Sequence, residues 1–211
     1  MWPTIHAERA TILADLERLP DEQWAQPSLC GEWTIRETVA HLTAVARIGT
    51  GAWMRSVIGV RFDFDRHNAD RLAEQLGSDA SETLARFRAA SALRVRIIGP
   101  KMAAIGETVI HAADIRRPLG LSSHTQPATA ADLLHWYATH EFNVISKSRV
   151  HGLHLVAEDA DLTIGDGPVV RGPALSLLMA TCGRSAYLDD LSGDGLDSLA
   201  ARCHPGWTPR P

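Results

Sequence analysis

Residues 106–120, GETVIHAADIRRPLG, carry side chains that can bind a metal ion. Glu107 and His111 are four positions apart, and Asp114 follows three positions later. Residues four apart lie one above the other on an α-helix, so Glu107 and His111 can ligate one ion from a single helix. A third ligand must come from another segment. His41 is the natural candidate, because it lies beside an apolar stripe on a second predicted helix.

One carboxylate and two imidazoles form a familiar zinc ligand set, and three protein ligands leave coordination open for water or substrate. Iron, nickel and manganese also accept this set, so the ligands alone do not fix the metal. A Glu-x-x-x-His spacing also occurs on solvated helix faces, and the chain has 10 histidines. Asp114 either pairs with Arg117 or orients a metal ligand, and the sequence favours the structural pairing.

Apolar periodicity, with start and stop signals, predicts the helices that position these side chains. Thr34, followed three residues later by Glu37, forms a capping box, so the helix that carries His41 is predicted to begin at Ile35. Residues 60–77 are predicted to be loop or short helix. Four helices are predicted in this part of the chain, over residues 4–19, 35–54, about 79–95 and 101–117.

The pattern changes towards the C-terminus. A further helix is predicted over residues 129–147, followed by two or three short strands, a helix after Pro173 and a last short helix. The sequence therefore predicts a mainly α protein with two domains. A helical bundle occupies residues 1–149, and a small α+β domain occupies residues 150–211.

Composition excludes several classes of protein. The 211 residues are 45% hydrophobic and 22% charged, which is typical of a globular protein. A net charge of −4 with only two lysines argues against a nucleic-acid surface. We expect no membrane span and no targeting signal. The three cysteines lack C-x-x-C spacing, which argues against a disulfide framework and favours a cytoplasmic location.

Two separated segments, taken together, resemble a known family. Residues 19–42, LPDEQWAQPSLCGEWTIRETVAHL, and residues 106–120 resemble the two signatures of the mycothiol-dependent maleylpyruvate isomerase family, within the DinB-like superfamily. Residues 153–195 are similar to the small C-terminal domain of many members. The resemblance covers most of the chain, and the two signatures are more specific together than either is alone.

This resemblance implies a DinB-like four-helix bundle and a divalent metal, usually zinc, held by His41, Glu107 and His111. It also implies mycothiol, a low-molecular-weight thiol, as co-substrate. Arg184 occupies a Gly-Arg pair typical of the C-terminal domain, and we expect it to line the cleft between the domains and bind a substrate carboxylate. The alternative for Arg184 is a surface or helix-end arginine. Cys30 is expected to pack the loop rather than act as a nucleophile.

The function expected from these features is thiol chemistry at a metal. Metal coordination deprotonates a thiol, so a metal-bound thiolate is expected to attack an electrophilic small molecule. The reaction is either an isomerisation of the maleylpyruvate type or a thiol S-transfer. A non-catalytic metal-binding protein is the alternative. A zinc-dependent regulator such as an anti-sigma factor is disfavoured, because the chain lacks His-x-x-x-Cys-x-x-Cys.

Overall fold

The computed structural model describes residues 1–95, 99–204 and 206–209. The chain divides into two compact units, Met1–Ser123 and His124–Pro211. This division falls earlier than the predicted boundary between residues 149 and 150. The helix Pro127–Thr139 belongs to the second unit, because its buried face packs on the helix Ala174–Thr181. No described helix is both long and apolar enough to cross a bilayer.

Four helices of the first unit form a bundle. Helices α1 (Trp2–Leu16) and α2 (Ile35–Arg47) each pack against both α5 (Ala80–Ala90) and α6 (Lys101–Arg116), which closes a four-helix ring. All four helices contribute to one apolar core, which includes Ile12, Val39, Phe87 and Ile115. The predicted bundle is thereby confirmed. The other described helices of this unit are α3 (Thr50–Gly59), α4 (Phe64–Gln75) and a 3₁₀ helix at Asp21–Ala25.

The predicted capping box is present at the start of α2. The Thr34 hydroxyl oxygen accepts a hydrogen bond from the Glu37 backbone N–H at 3.2 Å, and the Thr34 N–H donates to Glu37 Oε2 at 2.8 Å. The two bonds pair the backbone N–H groups of Glu37 and Thr34, which would have no partner within the helix. Helix α2 therefore begins at Ile35, as predicted, and His41 lies near its middle.

The end of α2 differs from the prediction. The sequence predicts one helix as far as Met54, but the backbone is extended at Ile48 and Gly49, and α3 begins at Thr50. Glycine inside a helix costs about 1 kcal/mol relative to alanine, so a break at this position is inexpensive. The apolar residues on both sides of Gly49 hide this break from a search for periodicity.

Residues 60–77 form more helix than the sequence indicates. Helix α4 occupies most of this segment, and the Asp63 carboxylate caps its start by accepting a hydrogen bond from the Arg66 N–H at 3.0 Å. Helix α4 packs against α2 and α3. The segment is polar, so tertiary packing rather than a strong apolar stripe stabilises the helix.

A buried ion network fixes α6 against α1. Arg116 is 1% exposed. It donates hydrogen bonds to the Glu8 and Asp15 carboxylates at 2.7 Å each and to the Thr11 hydroxyl at 2.9 Å. Removing one partner from a buried ion pair costs about 3–5 kcal/mol. The network therefore holds α6 in one rotation about its axis, and this rotation sets where the polar side chains of α6 point.

The second unit combines helices with one small sheet. Strand β1 (His154–Ala157) lies in the centre, antiparallel to β2 (Leu162–Ile164) and parallel to β3 (Val169–Gly172). The predicted strands and the α+β class are confirmed. The predicted helix over 129–147 is too long, since the helix that begins at Pro127 ends at Thr139 and Phe142 beyond it is 58% exposed. The helices are α7 (Pro127–Thr139), α8 (Lys147–Val150), α9 (Ala174–Thr181) and α10 (Leu196–Arg202).

Candidate metal centre

Three side chains from α2 and α6 meet inside the first unit. His41 is on α2, while Glu107 and His111 lie one turn apart on α6, which packs against α2. Glu107 Oε2 is 3.5 Å from His41 Nε2 and 3.3 Å from His111 Nε2. One ligand atom from each residue lies within 4.8 Å of the other two. The fold thus brings together the three residues that the sequence predicts as ligands.

These distances suit a shared cation better than direct hydrogen bonds. Charge-assisted N–H···O bonds are usually about 2.7–2.9 Å long, which is shorter than either contact. Two atoms bound tetrahedrally to zinc, with bonds of about 2.0–2.1 Å, lie about 3.3–3.4 Å from each other. The observed separations of 3.3 and 3.5 Å match that tetrahedral edge. The donor set and its spacing therefore fit a divalent metal.

The cluster is buried on its histidine side and open at its carboxylate. His41 and His111 are 7% and 9% exposed, whereas the Glu107 side chain is 26% exposed. Burial lowers the pKa of His41, which favours the neutral imidazole that metals bind. Burial acts to raise the pKa of Glu107, but the imidazoles of His111 and His41 outweigh it and hold that pKa well below its usual range. Glu107 is therefore ionised.

Asp114 holds the ring of His111. Its carboxylate is fully buried, and Oδ2 lies 3.0 Å from His111 Nδ1. A carboxylate at Nδ1 favours the tautomer with its proton on that nitrogen, which leaves Nε2 free to bind a metal. Of the two roles considered for Asp114, this contact corresponds to the orientation of a ligand, although the sequence favours pairing with Arg117. Burial acts to lower the pKa of His111, but hydrogen bonds, first with Asp114, raise it well above its ordinary value.

The loop before α2 closes one side of the cluster. Leu29 N–H donates to the Asp114 backbone carbonyl at 3.1 Å, which attaches the loop to α6. Cys30 thereby comes within 4.8 Å of the metal-binding atoms of His111 and Asp114. The ring of Trp33 lies 4.9 Å from the His41 ring, centroid to centroid. The loop-packing role predicted for Cys30 therefore understates its position, because its thiol lies beside a candidate ligand.

A third imidazole near the cluster was missed by sequence reasoning. His67 lies on α4, is 4% exposed, and places its Nδ1 2.8 Å from the Ser56 hydroxyl oxygen. An electrostatic interaction with His41 contributes to the lowering of its pKa. The polar segment that contains His67 has no clear helical period. Only the packing of α4 on α2 reveals that this histidine is near the centre.

Arg184 lies in the second unit, after α9. It is partly buried, and its Nη1 donates a hydrogen bond to the Cys182 backbone carbonyl at 3.0 Å. This bond holds the arginine at the end of α9, where a cation suits the negative helix terminus. Its assignment to a substrate carboxylate stays a prediction.

Comparisons with known proteins agree with this architecture. Residues 5–98 match the family model of the mycothiol maleylpyruvate isomerase N-terminal domain. That match includes His41 and ends before Glu107. Among curated proteins, no sequence matches the chain significantly.

Two solved structures share the fold over almost the whole chain. A crystal structure of the mycothiol-dependent maleylpyruvate isomerase carrying a histidine-to-alanine mutation has a TM-score of 0.59 and 13% identity, and covers 92% of this chain and 91% of that one. A second crystal structure of the mycothiol-dependent maleylpyruvate isomerase has a TM-score of 0.55 and 16% identity, with the same coverage. At these identities, the likeness establishes a shared fold.

Proposed function

We propose that this protein is a metal-dependent enzyme that uses a low-molecular-weight thiol, because residues 5–98 match the model of the mycothiol maleylpyruvate isomerase N-terminal domain. Its thiol co-substrate is mycothiol, and its second substrate is a small electrophile. The names of the family and of both structural neighbours favour isomerisation of the maleylpyruvate type over S-transfer. The proposal depends on two signatures that lie far apart in sequence and meet in the fold.

The convergence of His41, Glu107 and His111, with Glu107 Oε2 at 3.5 and 3.3 Å from the two Nε2 atoms, is the observation that carries the proposal. Three ligands leave a coordination position open, and the partly exposed Glu107 marks the accessible side. A bound divalent metal, with zinc as the first candidate, supplies a Lewis acid that lowers the pKa of a coordinating thiol.

The residues around the centre have separate tasks in this scheme. His41 and His111 would bind the metal through Nε2, and Asp114 holds the His111 ring by its contact with Nδ1. Trp33 packs against His41 and restricts the space around it. The buried side chains of His41, His111 and Asp114 would limit the access of water on their side of the centre, which strengthens electrostatic interactions there.

The isomerisation conserves every atom of both partners. The sulfur adds to a carbon of a conjugated double bond, so a C–S bond forms and the π electrons move to the carbonyl oxygen. The former double bond then rotates as a single bond. Elimination breaks the C–S bond, restores the double bond in the trans form and releases the thiol. In an S-transferase, the adduct instead leaves intact. Arg184 is our candidate for the substrate carboxylate, on account of its fork of N–H donors.

Elemental analysis and a thiol-dependent assay test the proposal together. Wild-type protein should hold about one metal ion per chain, and His41→Ala and His111→Ala should each lose most of it, because two ligands bind a divalent ion poorly. His135→Ala is a matched control, since His135 is exposed on α7. Wild-type protein should then isomerise maleylpyruvate only when mycothiol is present. Unchanged metal content in both ligand variants, or the absence of any mycothiol dependence, contradicts the proposal.

A further inference from the structure

The second unit contains a cavity of about 650 Å³. Its walls come from α8, the end of α10 and the segment that follows α10. The volume lies within the range of about 300–1,000 Å³ that is usual for small-molecule sites. The polar and aromatic residues that line it are Lys147, Ser148, His151, Arg202, Trp207 and Thr208. None of them belongs to the candidate metal centre, so the proposed function leaves this cavity without a role.

The cavity has a positive lining in a chain whose net charge is −4. Lys147 and Arg202 both line it, and none of the described residues in its walls carries a carboxylate. The Glu141 carboxylate lies beside Ser148, but its oxygens accept hydrogen bonds from the Ser146 and Ser148 backbone N–H groups and from the Ser148 hydroxyl. Because positive charge inside a concave surface attracts anions, the cavity favours an anionic ligand.

Backbone contacts hold the guanidinium of Arg202 in place. Its Nη1 donates hydrogen bonds to the backbone carbonyls of Arg149 and His151, at 2.8 Å each. In return, the Arg202 backbone carbonyl accepts a hydrogen bond from Nη1 of Arg149. A guanidinium has more N–H donors than these bonds use, so Nε and Nη2 can still bind a ligand. Since the group is fixed before a ligand arrives, binding costs less conformational entropy.

The ring of Trp207 supplies an apolar wall. The guanidinium carbon of Arg149 lies over this ring, 5.2 Å from its centroid. Arg149 is itself 7% exposed, and its Nε donates a hydrogen bond to the Thr181 backbone carbonyl at 3.1 Å. The indole is therefore held by a buried partner and presents a large, rigid surface to a planar group. An inorganic anion would leave this wall and most of the volume unfilled.

We propose that this cavity binds a small organic anion that carries a planar ring. The anionic group pairs with Lys147 and Arg202. The ring packs on Trp207, and the exposed side chains of His151 and Thr208 offer further hydrogen-bonding groups. The inference goes beyond the proposed thiol-dependent function, because it gives the second unit a ligand site that uses no residue of the metal centre.

Naphthalenesulfonate is a suitable probe, because it joins a planar ring to a permanently ionised group that binds metals poorly. Calorimetric titration into zinc-loaded wild-type protein should show one site per chain. Methanesulfonate lacks the ring and naphthalenemethanol lacks the charge, so each should bind several-fold more weakly. Salt should weaken the binding of naphthalenesulfonate, since Lys147 is exposed and its charge is screened. Affinity for naphthalenesulfonate no greater than for the two partial probes would contradict the proposal.

Two substitutions test the two contacts separately. Lys147→Gln should weaken binding of naphthalenesulfonate by about two- to fivefold, as expected for an ion pair at an exposed side chain. Trp207→Leu should weaken it by about fivefold, because the stacking surface is lost, and should leave methanesulfonate binding unchanged. Lys101→Gln, the same change at an exposed lysine on α6, should match the wild type.

Thermal melting shows whether each variant is folded, and Lys147→Gln changes only an exposed side chain. Wild-type affinity in either folded variant overturns the assignment, as does the absence of saturable binding to wild-type protein. His111→Ala should bind the probe as the wild type does, and loss of binding would place the probe at the metal centre instead. The titrations contain no mycothiol and measure no turnover, so their failure leaves the proposed function intact.

Discussion

The contact between Asp114 and His111 predicts a defined loss of metal affinity. Removal of a carboxylate that orients a histidine ligand typically weakens metal binding by about 10–100-fold, or about 1.4–2.8 kcal/mol at 25 °C. Asp114 is fully buried and lies 3.0 Å from Nδ1, so no water replaces it readily. Asp114→Asn keeps an acceptor but loses the charge, and we expect about a 10-fold loss. Asp114→Ala loses both, and we expect a loss near 100-fold.

Competition with a chromophoric zinc chelator measures these losses directly. Asp132→Asn serves as the control, because Asp132 is exposed on α7 and should leave zinc affinity unchanged. Thermal melting of each metal-free variant separates loss of affinity from loss of folding. Zinc affinity of a folded Asp114→Ala within about twofold of wild type would refute the orienting role, since the structural argument requires at least about 10-fold.

Three further predictions concern stability. Thr34→Ala removes one half of the capping box and should lower the free energy of unfolding by about 1 kcal/mol in urea titrations, whereas an unchanged value would show that the box contributes nothing. Arg116→Ala leaves two carboxylates without their buried partner and should cost about 3–5 kcal/mol by the same measurement, and a loss below about 1 kcal/mol would contradict the network. Burial acts to raise the pKa of Glu141, but hydrogen bonds from Ser148 and Ser146 lower it below its ordinary 4.5. Its stabilising effect is therefore full above pH 4.5 and is lost as the pH falls through the lower folded pKa, so the stability gap between wild type and Glu141→Gln should close on acidification. A difference in the free energy of unfolding that does not change with pH would contradict this role of the Glu141 carboxylate.

Local signals in the sequence were enough to predict the four bundle helices. The Thr34–Glu37 capping box begins α2 at the predicted residue, and Pro118 with Gly120 follows the predicted end of α6. Such signals involve residues within one turn of each other, so they act the same way in the sequence and in the fold. The strands of the second unit were predictable for the same reason, from short alternating runs between turns.

Features that depend on tertiary packing were predicted less well. The break at Ile48 and Gly49 interrupts an apolar pattern that continues past it. Helix α4 has a weak apolar stripe and owes its stability to α2. The second compact unit begins before the predicted domain, because α7 has the sequence pattern of one more bundle helix while its buried face packs on α9. For α4 and α7, the sequence indicates where a helix forms but not which helix it packs against.

The residues of the candidate site divide in the same way, into those predicted by local spacing and those placed by tertiary packing. Glu107 and His111 are neighbours on one helix, so their spacing alone brings them together. His41 lies on a different helix, so its place in the sequence makes it only a candidate, and only the fold shows that it faces them. Cys30 comes beside His111 through a loop attached to α6, and the packing of α4 on α2 brings His67 within electrostatic range of His41. No spacing in the sequence predicts either placement.

The ligand set itself is tested most directly by X-ray absorption at the zinc edge of the zinc-loaded protein. His41, Glu107 and His111 predict only nitrogen and oxygen in the first coordination shell, at about 2.0–2.2 Å, with outer-shell features from two imidazoles. Addition of mycothiol should bring in one sulfur at about 2.3 Å. A sulfur already present without mycothiol would assign the metal to the alternative group of Cys30, His111 and Asp114 and would contradict the proposed centre.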